Sequence, residues 1–151
     1  MTLHEKRAEE LFLEGYNCAQ AVFGAFCDTT GMEEKTAMKL SSSMGGGMGR
    51  LREVCGAVSG MFLAAGLLYG YDDPAASDEK REHYARIRTL AEQFKALRGS
   101  IVCRELLSGD AAKSGGEPQA RTAEFYKERP CLKMVRDAAR LLDEYIEQNP
   151  I

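Results

Sequence analysis

The chain has 151 residues, a formal net charge of −3 at pH 7, 44% hydrophobic and 28% charged residues. This is globular composition at the length of one domain; it excludes wholesale disorder and, with no basic run, argues against nucleic acid or an anionic membrane surface as a partner. Five cysteines and seven methionines stand beside no tryptophan, which is the one unusual feature of the composition.

The first residues, Met1-Thr2-Leu3-His4-Glu5-Lys6-Arg7, are charged and carry no apolar stretch, so no signal peptide is expected. Thr2 with Glu5 three positions later reads as a capping box, and Ala8, Leu11 and Phe12 continue at helical spacing to Gly15. Asn17 with Gln20 repeats the signal for a second helix through Ala21, Val22 and Phe26, ending before Gly31. A third helix is predicted from Glu33 to about Ser43. Gly45-Gly46-Gly47-Met48-Gly49 then reads as a flexible or left-handed turn into an apolar helix that begins near Arg52.

Asp73-Pro74 opens the next loop or helix start, and from Ser77 the positions Tyr84, Ile87, Leu90, Ala91, Phe94 and Leu97 form one stripe that Gly99 ends. Ser100 is a candidate cap for a short helix carrying Cys103, Leu106 and Leu107. Residues 108–119 are polar and glycine-rich and read as a flexible loop. Pro130 suits the first position of a last helix with the face Val135, Ala138, Leu142, Tyr145 and Ile146. No alternating strand pattern occurs. The expectation is one all-α domain over 1–151, a multi-helix bundle around a buried, glycine-rich apolar helix.

The apolar run Val54 to Tyr69 is 16 residues long, too short to span a membrane, which takes about 20. A cytoplasmic protein is expected, where thiols stay reduced and structural disulfides are uncommon. Gly56 and Gly60 lie one turn apart, as do Gly66 and Gly70, which suits close packing of another helix, a homodimer seam, or a pocket that admits a ligand where side chains are missing.

The cysteines contain no Cys-x-x-Cys, so a local zinc knuckle or ferredoxin-type cluster is excluded on spacing. Any shared site must be assembled by the tertiary fold. With the helix starts above, Cys18 directly follows its cap, Cys131 takes the second position after Pro130, and Cys103 lies three past Ser100. Cys55 sits near the start of the apolar helix, behind Arg50 and Arg52. First helical turns present unpaired N–H groups and the positive end of the dipole, which favour thiolate over thiol. Cys27, near a helix end and beside Asp28, has the opposite environment.

The glycine turn lacks the Gly-Lys-Ser/Thr of a P-loop, and no strand precedes it. The amides of Gly45, Gly46, Gly47 and Gly49, with Arg50 and Arg52, either form a tight connection or hold an anion or ligand oxygen beside Cys55. Ser59, one turn past Cys55, either donates to its sulfur or bonds back to a helix carbonyl. His83 lies in the charged run 78–83, where a solvated face explains the residues better than a di-iron site.

Gly15-Tyr16-Asn17-Cys18-Ala19-Gln20, Gly45-Gly46-Gly47-Met48-Gly49-Arg50, Cys55-Gly56-Ala57-Val58-Ser59-Gly60, Gly99-Ser100-Ile101-Val102-Cys103 and the final Cys131 together resemble the C-GCAxxG-C-C family of redox-active proteins over nearly the whole chain. The family label spells Gly-Cys-Ala where this chain reads Cys55-Gly56-Ala57. The resemblance maps the four family cysteines onto Cys18, Cys55, Cys103 and Cys131 and leaves Cys27 structural. Some members are similar to part of the split-Soret cytochromes, which implies electron transfer, but this chain has no Cys-x-x-Cys-His for covalent haem.

Three expectations follow. In the first, Cys55 is the attacking thiolate, activated by a helix start and Arg50 and Arg52. Cys18 resolves it, Cys103 and Cys131 form a second pair, and the partner is an unidentified redox protein or small molecule. In the second, the same four cysteines ligate a metal or an iron–sulfur cluster; in the third, a dimeric helical scaffold has no chemistry. The cofactor stays open, between none and a metal or cluster.

Overall fold

A computed structural model describes residues 1–151, the side chain of Glu128 excepted. Helix α1 (Leu3–Leu13) starts at the capping box: Thr2 accepts from the Glu5 N–H and the Glu5 side chain accepts from the Thr2 N–H. Asn17 and Gln20 do the same for α2 (Cys18–Ala25). These reciprocal bonds satisfy amide groups that a helix start otherwise leaves unpaired. The second helix is shorter than its pattern suggested. It stops at Phe26, and α3 (Cys27–Thr30) carries the chain on to Gly31, whose φ of 77° ends it.

Helix α4 (Glu34–Ser41) passes through a 3-10 turn into α5 (Gly45–Met48), in which Gly46 and Gly47 have left-handed φ values of 67° and 69°. The left-handed alternative for the glycine turn is therefore the one adopted. The apolar helix α6 (Gly56–Tyr69) begins four residues later than expected. The reason lies upstream: Arg50 and Arg52 take φ of 65° and 60°, and the N–H groups of Arg52 and Glu53 bond to the Gly46 and Gly47 carbonyls. Val54 then pairs with Val102 in an isolated antiparallel bridge, the one departure from an all-helical fold among the described residues.

Helices α1, α2, α6 and α10 (Cys131–Gln148) pack on one another around Leu11, Phe12, Val22, Phe23, Met61 and Leu142, all nearly inaccessible to solvent. Each such side chain contributes about 1.5–3 kcal/mol relative to exposure. The first part of α6 is buried through Met61 and again at Ala64 and Ala65, whereas Leu67 in its last turn is 50% exposed. Gly56 and Gly60 face α2: a Cβ on Gly60 would stand 2.7 Å from the Ala19 carbonyl oxygen. That glycine face is filled by a neighbour within the same chain and is not left open for a dimer seam. Gly66 meets nothing within 4 Å, and Gly70 caps the helix end, so the second glycine pair makes no comparable seam.

Helix α7 (Ser77–Arg98) has the predicted limits, with Gly99 left-handed at φ 90°. His83 differs from expectation: it is buried, packs near Tyr71, and bonds to Arg86 at 3.0 Å. Arg98 from the end of α7 reaches the buried Asp137 of α10 and ties the two helices, and Arg140 pairs with the same carboxylate within α10. The segment after α8 (Cys103–Leu106) runs through residues 108–119 to α9 (Ala123–Glu128), and its Lys113 and Gly115 carbonyls accept from Arg52 and Arg50. No helix among the described residues is long and apolar enough to cross a membrane.

Candidate functional site

One cavity of about 340 Å³ is walled by Cys18, Cys55, Cys103 and Cys131. The fold thus brings the four separated cysteines together, and it does so with helix starts. Cys18, Cys103 and Cys131 are the first residues of α2, α8 and α10, and Cys55 immediately precedes α6. Cys103 lies nearer its helix start than Ser100 implied, because Val102 is the cap; the Ser100 hydroxyl instead accepts from the Val102 N–H. The bridge at Val54 and Val102 fixes the middle of the wall: the Cys55 N–H donates to the Ile101 carbonyl at 2.7 Å and the Cys103 N–H to the Glu53 carbonyl at 2.6 Å. Cys27 lies outside the cavity, and burial and the neighbouring Glu34 and Asp28 push its thiol up.

The four thiols differ sharply. Cys18 is pulled down to about 7, chiefly by a hydrogen bond from the Cys131 thiol. Burial opposes this, while the Arg121 guanidinium and the N–H groups of Cys18 and Gly46 reinforce it. Cys131 is pushed up, since its proton is engaged with the Cys18 sulfur and burial disfavours a second anion there. Cys55 is pushed up to about 12 by burial and by the charge of Cys18, although the Ala57 and Val58 amides at the start of α6 favour its anion. Burial also raises Cys103, against the pull of Arg52, whose Nη1 donates to the Cys103 sulfur at 3.7 Å. Cys55 and Cys103 are buried, whereas Cys18 and Cys131 are only half-buried.

Cys55, the attacking thiolate of the first expectation, has its thiol pushed up to about 12 by burial and by the charge of Cys18. Arg52 serves Cys103 rather than Cys55. Cys131 is the largest influence on the acidity of Cys18, and the charge of Cys18 in turn raises Cys55 and Cys103.

The glycine turn does reach the site. Gly45, Gly46, Gly47 and Gly49 all line the cavity with Arg50, and the Gly46 amide supports the Cys18 sulfur rather than Cys55. Gly47 has no room for a side chain: a Cβ would stand 2.7 Å from both the Cys103 Cβ and the Glu53 nitrogen. Ser59 is buried within α6 and forms no part of the cavity wall.

Sequence reasoning missed Arg121, Phe125 and Arg129, which close the cavity from the α9 side. Thr122 caps α9 by accepting from the Phe125 N–H at 3.2 Å, a signal present in Thr122-x-x-Phe125 that would have placed the flanking arginines at a helix start and end. Arg121 donates to the Phe12 and Tyr16 carbonyls, at 3.1 and 2.7 Å, and lies 4.4 Å from the Phe12 ring centroid. Arg129 donates to Gln119 at 2.6 Å and lies over Phe125.

Among the described residues no three Cys, His, Asp or Glu side chains converge closely enough to hold a metal ion, so the four cysteines do not form the ligand set that the second expectation required. No curated protein and no solved structure matches the chain. A family model described as "Putative redox-active protein (C_GCAxxG_C_C)" matches residues 16–145, a span that contains all four cavity cysteines and the glycine turn. The chain therefore belongs to the C_GCAxxG_C_C redox-active family.

Proposed function

We propose that the protein is a thiol–disulfide exchange protein in which Cys18 is the nucleophile and Cys131 the resolving residue. One observation carries the reading. Cys18 opens α2, half-buried at the wall of the cavity, where the Cys131 thiol, Arg121 and the Gly46 amide favour its anion and lower its pKa to about 7. A thiol whose pKa lies near ambient pH combines a useful thiolate fraction with good intrinsic nucleophilicity.

In the reaction, the Cys18 thiolate attacks one sulfur of a disulfide R–S–S–R′. A Cys18–S–S–R bond forms, the S–S bond of the substrate breaks, and R′S⁻ leaves. Cys131 then loses its proton to solvent and attacks the Cys18 sulfur, which expels RS⁻ and leaves a Cys18–Cys131 disulfide. The substrate has gained two electrons and the protein has lost two; an external dithiol reductant returns the pair to the thiol form. Arg121 and the Gly46 amide hold the charge of Cys18 before attack.

The test is mass mapping after stoichiometric treatment with a small disulfide. The wild type should end with a Cys18–Cys131 linkage, and Cys131→Ser should stall as a mixed disulfide on Cys18. A linkage that consistently joins Cys55 or Cys103 to another cysteine while Cys18 stays free would overturn the assignment.

A further inference from the structure

Four arginines line the cavity, Arg50, Arg52, Arg121 and Arg129, and among the described residues no aspartate or glutamate does, in a chain whose acidic residues outnumber its basic ones. Among the described residues none of these four makes a salt bridge, although most other arginines do. Their hydrogen bonds go to neutral acceptors: the carbonyls of Phe12, Tyr16, Lys113 and Gly115, the Gln119 amide and the Cys103 sulfur.

Arg52 is the extreme case. It is 1% exposed, and its Nη2 has no hydrogen-bond partner. A buried guanidinium nitrogen without an acceptor is costly, and it becomes favourable when an anion arrives. The neighbours compound this: after burial, Arg52 and Arg129 are the groups that oppose the charge on Arg50. A preassembled group of like charges beside a nucleophilic sulfur selects for a ligand of the opposite charge. The cavity volume of about 340 Å³ suits a small molecule more than the surface disulfide of a folded protein. Guanidinium groups match the planar, two-oxygen geometry of a carboxylate.

We infer that the cavity takes a small carboxylate-bearing disulfide, with its carboxylate on Arg50 and Arg52 and its sulfur presented to Cys18. This rests on the exchange reading above and adds the class of substrate to it; the electron balance is the one already written.

The experiment separates the two. Dithiodipropionate, bis-hydroxyethyl disulfide and cystamine are similar in size and differ in charge. Suberate has the length of the first but cannot react. Rates with the three disulfides and calorimetric binding of suberate are measured on the full chain, on Arg50→Gln and on Arg52→Lys, each variant checked by circular dichroism. Arg50 is the safer variant because it is not a core residue. The expected result is that the wild type reacts with dithiodipropionate at least about tenfold faster than with cystamine, and that Arg50→Gln loses this margin, as loss of one charge-assisted hydrogen bond predicts. Suberate should bind the wild type and bind Arg50→Gln about tenfold more weakly. Equal rates with all three disulfides, together with no suberate binding, would overturn the anion inference and leave exchange at Cys18 standing. Suberate binding with no reaction at Cys18 toward any disulfide would overturn the exchange reading, and the disulfide substrate with it.

Discussion

Cys18 and Cys55 occupy the same kind of position, at the beginning of a helix of eight residues or more, on the wall of the same cavity, yet their acidities lie on opposite sides of an ordinary thiol. Both receive backbone N–H groups. What separates them is the rest of the shell. Cys18 gains a thiol donor from Cys131, a guanidinium from Arg121 and a second amide from Gly46, whereas Cys55 is buried with the Cys18 charge nearby. A helix start is therefore a weak activator by itself, and burial beside a second negative charge overwhelms it. The lesson is that activation here is a property of convergence between elements.

The comparison breaks most readily at the reactive sulfur. Cys18→Ser should remove the fast phase of alkylation at pH 7, leaving a rate lower by about 100-fold or more, since thiols of ordinary or raised pKa present little thiolate there. Cys55→Ser should retain the fast phase. Iodoacetamide kinetics followed by peptide mapping check both, and loss of the fast phase in Cys55→Ser alone would reverse the assignment. A sharper form of the same test uses pH. In the wild type the fast rate should rise with a midpoint near 7, because the thiolate is the reacting form and Cys18 sits at about 7. Cys131→Ala removes the largest cause of that depression, so its midpoint should move upward; an unchanged midpoint would show that Cys131 is not the donor.

The next largest effect concerns the turn that delivers Gly46 to Cys18. Gly47→Ala combines a left-handed backbone at φ 69° with a Cβ 2.7 Å from backbone nitrogen, and should destabilise by about 2 kcal/mol or more. Gly49→Ala has the same handedness at φ 56° but open space around its Cβ, so it should cost less. Urea denaturation of the two variants measures the difference, and equal costs would show that backbone handedness alone, not the close approach to Cys103 and Glu53, requires glycine at position 47.

The smallest effect lies remote from the cavity, at His4. It stacks on Phe26 and bonds to Asp143 at 2.6 Å and Asp28 at 2.8 Å, so its pKa is raised, with the Asp143 bond the main cause and burial opposing. A pKa raised on folding stabilises fully below the unfolded value of 6.5, and that contribution is lost as pH rises through the folded value. His4→Gln should flatten the fall in stability with rising pH across neutrality, without moving the Cys18 alkylation midpoint. Denaturant midpoints over pH 5–9 check the first part, and an unaltered pH slope would remove His4 as its source.

Elements with a local signature were legible. The capping boxes at Thr2 and Asn17, the end of α7 at Gly99 and the apolar face of α10 each depend on residues within one or two turns, and each is present where its pattern placed it. The start of α6 was misplaced because the hydrophobic run continues through residues whose backbone is committed to long-range pairing with residues 101–103. His83 was read as solvated because its sequence neighbours are charged, but Tyr71 and Arg86 cover it.

The sequence by itself determined an all-helical chain, four cysteines at or beside helix starts, and a glycine turn before the apolar helix. These rest on hydrogen bonds and backbone preferences that span a few residues, so a single chain carries them openly. That the four cysteines share one cavity, and that Arg121 and Arg129 close it, was decided only in three dimensions. Thiol acidity depends on donors and charges within a few ångströms, and here those come from α2, α5, α10 and Arg121 ahead of α9, positions whose separation in sequence hides their contact in space.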